Sequence, residues 1–408
     1  MKTPKLLLFL LLLTISSFVS AQKIEEKNIK THIKFLSDDA LQGRLTGSEG
    51  ERMALDYIEK QFKALKLQPK GESGSFEQKF PFKSGVHGTG TEGTAHNAVA
   101  YLDNKADKTI IIGAHFDHLG LGENGSSLDA NPKGKIHNGA DDNASGVAGV
   151  LELARYFSKN KISEKSNFLF ICFSGEELGL YGSKYFTDHP SIDLTKVNYM
   201  INMDMIGRLN PTTKSISVSG SGTSPVWETL LKNMSGTQLN IKTDSAGVGP
   251  SDHTSFYLKN IPVLHFFTGS HSDYHKPSDD WDKINYEGEK EVLDLIIAVI
   301  EKLDTEPQLA FLPTKNKSMS SSRSFKVTMG VMPSYTSDVA GLLVDGATDG
   351  KPAQKAGIQT GDIITKIGDF EIKDIQTYMD ALGKFEKGQT VPVKIKRKSE
   401  ELTLNVTF

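Results

Sequence analysis

The sequence predicts an α/β protein with a mixed, mostly parallel central sheet sandwiched by helices, followed by a small α+β domain. Two observations lead to this fold class. From residue 97 to residue 303, continuous apolar runs alternate with segments of helical periodicity. Beyond residue 323, five shorter runs typical of strands accompany two helical segments. The 408 residues are enough for one large and one small domain.

The predicted strands of the larger domain are rich in β-branched and aromatic residues, as strands buried on both faces tend to be. They are NAVAYL (97–102), TIIIGA (109–114), NFLFICF (167–173), VNYMINM (197–203) and IPVLHFF (261–267). Helical spacing of apolar residues precedes, separates and follows these strands. The helical segments are 23–44, 47–67, 143–160, 224–234, 253–260 and 285–303.

The ends of the two domains follow from changes in composition. Residues 1–21 carry two lysines, a leucine-rich run and the ending VSA, and are expected to be a signal peptide cleaved after Ala21. A membrane anchor is the alternative, but the apolar run is short for a bilayer. We expect the larger domain over 22–303, a linker over 304–323 and the smaller domain over 324–408. The protein is thus expected in the periplasm or outside the cell.

Charge and cysteine content exclude some classes of partner and bond. With 47 basic and 50 acidic residues, the net charge of -3 offers no attraction for a polyanion, so nucleic acid is not an expected partner. The leader is not followed by a second long apolar segment, so we expect no membrane anchor after signal cleavage. Cys172 is the single cysteine, so no internal disulfide can form. It lies in the run FLFICF, where a free thiol is expected to pack as a small apolar side chain.

Polar side chains directly follow three of the predicted strands. His115 follows TIIIGA, Glu176 and Glu177 follow NFLFICF, and Asp204 follows VNYMINM. Because open α/β sheets bind ligands at the carboxyl ends of their strands, we expect these groups at one edge of the sheet. Taken singly, each has a simpler explanation: a buried histidine, acidic residues at a helix start or a turn residue.

Two loops add further groups to this set. Asp141 and Asp142 stand just before a helix, which Asp142 could simply cap, and His275 lies in a polar loop after the last strand. Imidazoles and carboxylates without thiolate suit zinc or another divalent transition metal. The set exceeds the needs of one tetrahedral ion, whereas two ions sharing a carboxylate would use it fully. Asp117, two residues after His115, can accept the other ring N–H of that histidine.

Six motifs then resemble those of a known enzyme family. The family is the co-catalytic zinc aminopeptidases related to aminopeptidase S, aminopeptidase Y and glutamate carboxypeptidase II, whose fold is zinc exopeptidase-like. The resemblance spans roughly residues 95–303 and keeps the family's motif order. The motifs are GAHFDHLG, HNGADDNASG, FSGEELGLYGS, NMDMIG, SDHTSF and YHKPSDD.

The resemblance implies two Zn²⁺ ions per chain. One would be held by His115 and Asp204, the other by Glu177 and His275, with Asp142 bridging them. Glu176 would be the catalytic general base, taking a proton from a metal-bridging water and passing it to the leaving amine. Asp117 is the other catalytic candidate, through its contact with His115. The residues alone leave open which glutamate is the ligand and which the base.

Further residues of the motifs have less defined roles. Some relatives stabilise the tetrahedral oxyanion with a tyrosine beside the last histidine, which makes Tyr274 a candidate. Pro250 stands where some members have a basic residue, and the segment 84–97, expected to be an exposed loop, has no room for the protease-associated domain of larger relatives. The other histidines of the region are expected to pack or to support the ligands. They are His118, His137, His253, His265 and His271.

The smaller domain resembles a PDZ domain of the bacterial protease type. The segment KPAQKAGIQTGDIITKIGD (351–369) carries the resemblance, and TMGV (328–331) corresponds to the carboxylate-binding loop. The resemblance implies that an extended peptide can add as a strand beside this loop, with its terminus on backbone N–H groups. The alternative is a domain that packs on the larger one and gates access or supports folding.

Together these expectations describe an exported di-zinc aminopeptidase acting on peptides with a free amino terminus. Within the enzymes, a carboxypeptidase, a dipeptidase or another amide hydrolase on the same metal site is the alternative. Outside the enzymes, the alternative is a peptide-binding protein that acts through its PDZ-like domain.

Overall fold

In the computed structural model, the hydrophobic clusters of the larger domain are separate from that of the smaller domain. The structure describes residues 23–83, 92–123, 126–235, 239–314, 327–334, 339–348 and 350–408. The expected signal peptide therefore lies outside the described residues. Along the described ranges, no helix has the length and apolar character needed to cross a bilayer.

A mixed sheet forms the centre of the larger domain. Its described strands are β1 (Gln68–Pro69), β2 (Glu77–Lys83), β3 (Glu92–Leu102), β4 (Lys108–His115), β5 (Ser166–Phe173), β6 (Val197–Met203), β7 (Ser215–Ser219), β8 (Asn240–Asp244) and β9 (Val263–Phe267). Their order is β1-β3-β5-β4-β6-β9-β7-β8, and β2 pairs with β3. The middle strands β5, β4, β6 and β9 are parallel neighbours, whereas β3 and β7 join them antiparallel. The predicted α/β class with a mixed sheet is confirmed.

Helices cover both faces of this sheet. They are α1 (Glu26–Leu36), α2 (Glu49–Ala64), α3 (Gly146–Lys159), α4 (Tyr181–Asp188), α5 (Trp227–Met234), α6 (His253–Tyr257) and α7 (Tyr286–Leu303). Short polar side chains start two of the long ones: the hydroxyl of Ser48 accepts from Glu51 N–H, and the Asn285 side chain accepts from Gly288 N–H. Helices α3 and α7 pack on one face of the sheet, and α4 and α6 on the other.

The apolar runs explain this sandwich. In β5, Phe168 and Phe170 point into the core beneath α3, while Leu169 and Ile171 point into the core beneath α4 and α6. Side chains alternate between the two faces of a strand, so a continuous apolar run is buried only when both faces are covered. Cys172 is buried in the first of these cores, as a small apolar side chain would be.

The smaller domain is built on its own antiparallel sheet. Its described strands are β10 (Val331–Pro333), β11 (Leu342–Ala347), β12 (Ile363–Ile367), β13 (Phe370–Glu371), β14 (Thr390–Arg397) and β15 (Glu400–Thr407), with the helices α8 (Pro352–Lys355) and α9 (Ile375–Leu382). The strand order is β10-β11-β12-β14-β15, and β13 pairs with β12. A capping box between Asp374 and Thr377 starts α9.

Two segments differ from a simple loop or linker. Residues 92–97, expected in an exposed loop, are part of β3 because they pair antiparallel with β2, and residues 84–91 lie outside the described part. Residues 304–314 of the expected linker run along the larger domain. There Leu309 is buried and its N–H donates to the side-chain oxygen of Asn198 at 2.7 Å. The remainder of the linker, from residue 315 to 323, is outside the described ranges.

Candidate metal centre

The ends of three parallel strands bring polar side chains to one edge of the sheet. His115 is the last residue of β4, and it is in register with Phe173, the last residue of β5. Glu176 and Glu177 follow three and four residues later, and Asp204 comes directly after β6. The buried strands that precede these groups end at the same edge of the sheet, and this shared end brings the groups together.

Asp142 lies between two imidazoles, one at each of its carboxylate oxygens. Its Oδ1 atom is 3.3 Å from His115 Nε2, and its Oδ2 atom is 3.1 Å from His275 Nε2. Each imidazole faces a further carboxylate. His115 Nε2 is 3.4 Å from Asp204 Oδ1, and His275 Nε2 is 3.3 Å from Glu177 Oε2. All five residues expected as metal ligands thus lie in one cluster.

These distances are those of ligand atoms around zinc. With metal–ligand bonds of about 2.0–2.1 Å and tetrahedral angles, neighbouring ligand atoms are about 3.3–3.4 Å apart. The atoms of His115, Asp142 and Asp204 form one such group, and the three lie close enough together to hold an ion. Asp142 also belongs to a second group, with His118 and Glu177. The chemistry and spacing of the donor set fit a divalent transition metal.

His118, expected to pack or to support the ligands, adds a further imidazole to the cluster. Its Nδ1 atom is 2.8 Å from Glu177 Oε1 and 3.8 Å from Asp142 Oδ2, and the three side chains form the second group that could hold a metal. A distance of 2.8 Å is that of a hydrogen bond and is shorter than the spacing of two ligands on one zinc. His118 therefore fits the role of a donor that orients Glu177.

Asp117 contacts His115 in a way that differs in part from the expectation. The carbonyl oxygen of Asp117 is 3.2 Å from His115 Nδ1, while its carboxylate Oδ1 atom is 3.7 Å away. The carboxylate instead accepts from the Thr46 hydroxyl at 2.8 Å and from the Glu176 N–H at 3.1 Å. Asp117 thereby connects His115 with the backbone of the glutamate pair.

Two buried side chains that the sequence analysis did not single out support the cluster. Asp279 Oδ2 accepts from the N–H groups of Asp141 and Asp142, both at 3.0 Å. Arg44 is fully buried and donates to the carbonyls of Phe116, Asn138 and Gly139. Asp279 belongs to the motif YHKPSDD, so its position offered a signal. Arg44 lies in an early segment with no local pattern that marks a buried charge.

The electrostatics of the cluster differ between its carboxylates. Burial opposes ionisation of Asp142, but the imidazoles of His118, His115 and His275 hold its pKa well below the usual range. Burial raises the pKa of Glu176 well above the usual value, and the neighbouring carboxylate of Glu177 adds to the shift. The carboxylates of Asp142 and Glu176 therefore differ in proton affinity. This difference suits a metal ligand and a proton acceptor, respectively.

Tyr274 lies against the same cluster. Its ring stacks on that of His275, with centroids 3.9 Å apart and planes at 29°. Burial raises its pKa well above the usual value, so the hydroxyl keeps its proton and can donate a hydrogen bond. It also lines the cavity in front of the cluster. The position is compatible with the oxyanion role that the motif suggests.

The remaining histidines lie around the cluster. His271 Nε2 is 3.1 Å from Asp141 Oδ2, and the His137 ring bonds with the Ser127 hydroxyl at 2.7 Å. His253 and His265 stack with centroids 4.5 Å apart, and burial lowers the pKa of His265 to about 4. Burial lowers the pKa of His253 as well, so neither ring of this pair favours the charged form.

Comparison with known proteins gives a match for each part of the chain. The model of Peptidase family M28 matches residues 97–300, half of the chain, and that of the PDZ domain matches residues 325–408. Leupeptin-inactivating enzyme 1 of Streptomyces exfoliatus is 29% identical over 255 residues, which cover 61% of this chain and 50% of that protein. Leucine aminopeptidase 2 of Trichophyton equinum is 28% identical over 186 residues, 43% of this chain and 36% of that protein. The chain thus spans half or less of the length of these relatives.

Solved structures share the fold of the larger domain. The LapA aminopeptidase of Legionella pneumophila superposes with a TM-score of 0.53 at 23% identity, covering 70% of this chain and 72% of that one. Porphyromonas gingivalis glutaminyl cyclase superposes with a TM-score of 0.55 at 20% identity, covering 69% and 99%. An aminopeptidase and a glutaminyl cyclase both share this fold. The fold alone therefore does not identify the reaction.

Proposed function

Because this chain belongs to peptidase family M28, we propose that it is an exported aminopeptidase that removes residues from the free amino end of peptides with two zinc ions. The observation that carries the proposal is the position of Asp142, whose two oxygens face His115 at 3.3 Å and His275 at 3.1 Å. A carboxylate shared in this way is what a pair of metal ions requires. Export rests on the leader expected in residues 1–21.

The proposed ligands divide into two sets. His115 and Asp204 would hold one ion and Glu177 and His275 the other, with Asp142 shared between them. Zinc ions bound there would acidify a bound water and polarise the scissile carbonyl group. Asp117, Asp279 and His118 orient the ligands through the hydrogen bonds described above.

Two side chains of the protein, Glu176 and Tyr274, would act on the proton and on the oxyanion of the reaction. Glu176 lines the cavity beside His115 and Asp204, and its raised pKa makes it a competent acceptor. It takes the proton from the attacking water and gives it to the nitrogen of the leaving amine. The Tyr274 hydroxyl keeps its proton and donates a hydrogen bond to the oxyanion that develops on the carbonyl.

The smaller domain is proposed to bind a peptide terminus at the loop 328–331, beside β10. Support comes from the match of residues 325–408 to the PDZ domain and from the short strand β10 that follows this loop. An extended peptide could lie along this strand.

Substitution of Glu176 tests the proposed reaction. Glu176→Gln should keep both zinc ions but lose about 10²–10⁴-fold in kcat, since the amide cannot accept a proton. Hydrolysis of aminoacyl p-nitroanilides and zinc content by atomic spectroscopy measure the two effects. Glu228→Gln, at an exposed position of α5, is the matched control and should keep the parent rate.

Blocking the substrate amine tests the direction of cleavage. The parent protein should release a free amino acid from a peptide and leave the acetylated peptide intact, and a chelator should abolish the release until zinc is restored. Equal cleavage of the acetylated peptide would instead favour another amide hydrolase on this site. A near-parental rate for Glu176→Gln would remove the base assignment.

A further inference from the structure

The cavity in front of the metal centre has a wall built by the smaller domain. The cavity encloses about 600 Å³, a volume typical of sites for small ligands. His115, Asp142, Glu176 and Asp204 line it. The same cavity is lined by residues of the smaller domain, which are Thr328, Gly330, Val331, Pro333, Thr348 and Lys351.

This wall is a defined structure and not a loose loop. Val331 of β10 pairs with Ala347 of β11, and Thr348 N–H donates to the Gly330 carbonyl at 2.7 Å. Lys351 N–H in turn donates to the Thr348 carbonyl at 3.2 Å. Gly330 has a φ of +73°, and a Cβ atom there would lie 2.3 Å from Lys351 Cβ. The stem of Lys351 is therefore packed directly against the loop.

The lining of the cavity carries both signs of charge. Asp142, Glu176, Asp204 and Asp244 contribute carboxylates. Lys351 is the one lysine or arginine among the described residues that line the cavity. No described acidic side chain forms an ion pair with it. Its ammonium group can therefore pair with a ligand anion, and a ligand that suits this lining carries both a cation and an anion.

We propose that Lys351 binds the carboxyl terminus of short peptide substrates whose amino terminus lies at the metal centre. An unblocked short peptide has the required ammonium and carboxylate groups at its two ends. The inference rests on the proposed aminopeptidase function and narrows its substrate class to short peptides with a free carboxylate. The smaller domain thereby becomes part of the substrate site, and Lys351 a specificity-determining residue.

Peptide acids and the matching peptide amides separate this role from a structural one. The parent full-length protein should cleave leucyl peptides of two to five residues with a lower KM for the acid than for the amide, at one or more of these lengths. Lys351→Met keeps the length of the side chain but loses its charge. It should raise the KM of the preferred acid about tenfold and remove the preference over the amide.

Two further measurements complete the test. Lys355→Met, at the exposed last residue of α8 and outside the cavity, should keep the acid preference. Calorimetric binding of the preferred acid and its amide to Glu176→Gln gives a readout without turnover, and Lys351→Met added to this variant should weaken only the acid. Equal affinity for acid and amide at every length, or an equal loss for both in Lys351→Met, overturns the inference. Absence of any peptide cleavage would count against the proposed function alone, because the binding comparison stands without it.

Discussion

Asp279 fixes the backbone of Asp142: its Oδ2 atom accepts the Asp142 N–H at 3.0 Å. The same oxygen accepts the N–H of Asp141, also at 3.0 Å. Both aspartates at the bond are buried, and burial raises the pKa of Asp279 to about 6. Asp142, which faces both imidazoles, is therefore positioned by the carboxylate of Asp279, 137 residues later in the chain.

Removal of this acceptor should weaken metal binding. Asp279→Ala leaves two buried N–H groups without a partner and frees the backbone at Asp142, so the affinity for zinc should fall about 10–100-fold. Zinc titration against a competing chelator measures the loss, with thermal melting as a check on folding. Asp282→Ala, at an exposed position nearby, is the control. Unchanged zinc affinity in Asp279→Ala would show that Asp142 keeps its position unaided.

His118 should control the affinity of one ion more than that of the other. His118→Phe removes the donor that lies 2.8 Å from Glu177, so one of the two proposed zinc ions should be lost at about 10–100-fold lower chelator concentration. His118→Asn, whose amide can still donate, should recover part of the affinity.

The same pair of variants distinguishes a hydrogen-bond donor from a ligand. If His118 bound zinc directly, the asparagine and phenylalanine variants would lose the ion equally, because an amide is a poor substitute for imidazole on zinc. His189→Phe, at an exposed position, controls for the loss of a histidine elsewhere and should bind zinc as the parent does. Stoichiometry at a series of chelator concentrations gives the comparison.

A buried glutamate outside the cluster should make stability depend on pH. Neither carboxylate oxygen of Glu289 has a hydrogen-bond partner among the described residues, and burial raises its pKa well above the usual value, with Asp141 and Glu152 adding to the shift. Its stabilising contribution is complete below the unfolded-state pKa, near 4.5, and is lost as the pH rises through the folded-state pKa.

Glu289→Gln stays neutral and escapes this loss. Its advantage in free energy of unfolding over the parent should grow above about pH 4.5, by up to about 1.4 kcal/mol for each pH unit. Urea unfolding of the metal-free proteins at several pH values measures the difference. Glu287→Gln, at an exposed position of the same helix, should show a difference that does not change with pH. A pH-independent difference for Glu289→Gln would mean that Glu289 is solvated or paired in the fold.

The central strands of the larger domain could be predicted because local sequence patterns mark them. The run VNYMINM coincides with β6, and the run NFLFICF lies within β5. The short strands β7 and β8, at one side of the sheet, escaped prediction because each is five residues long and polar residues interrupt its pattern. The loop expected over residues 92–97 is strand, since β2 supplies a partner that the glycines and threonines of this segment do not indicate.

By itself, the sequence determined which residues end the buried strands, and so which imidazoles and carboxylates meet at the sheet edge. Apolar runs and strand ends are local properties, and a short window of residues is enough to read them. The tertiary structure alone decided how Asp142 divides its oxygens between His115 and His275, and that Lys351 lines the same cavity as these residues. These relationships join atoms of residues far apart in the chain, whose approach depends on the packing of every element between them.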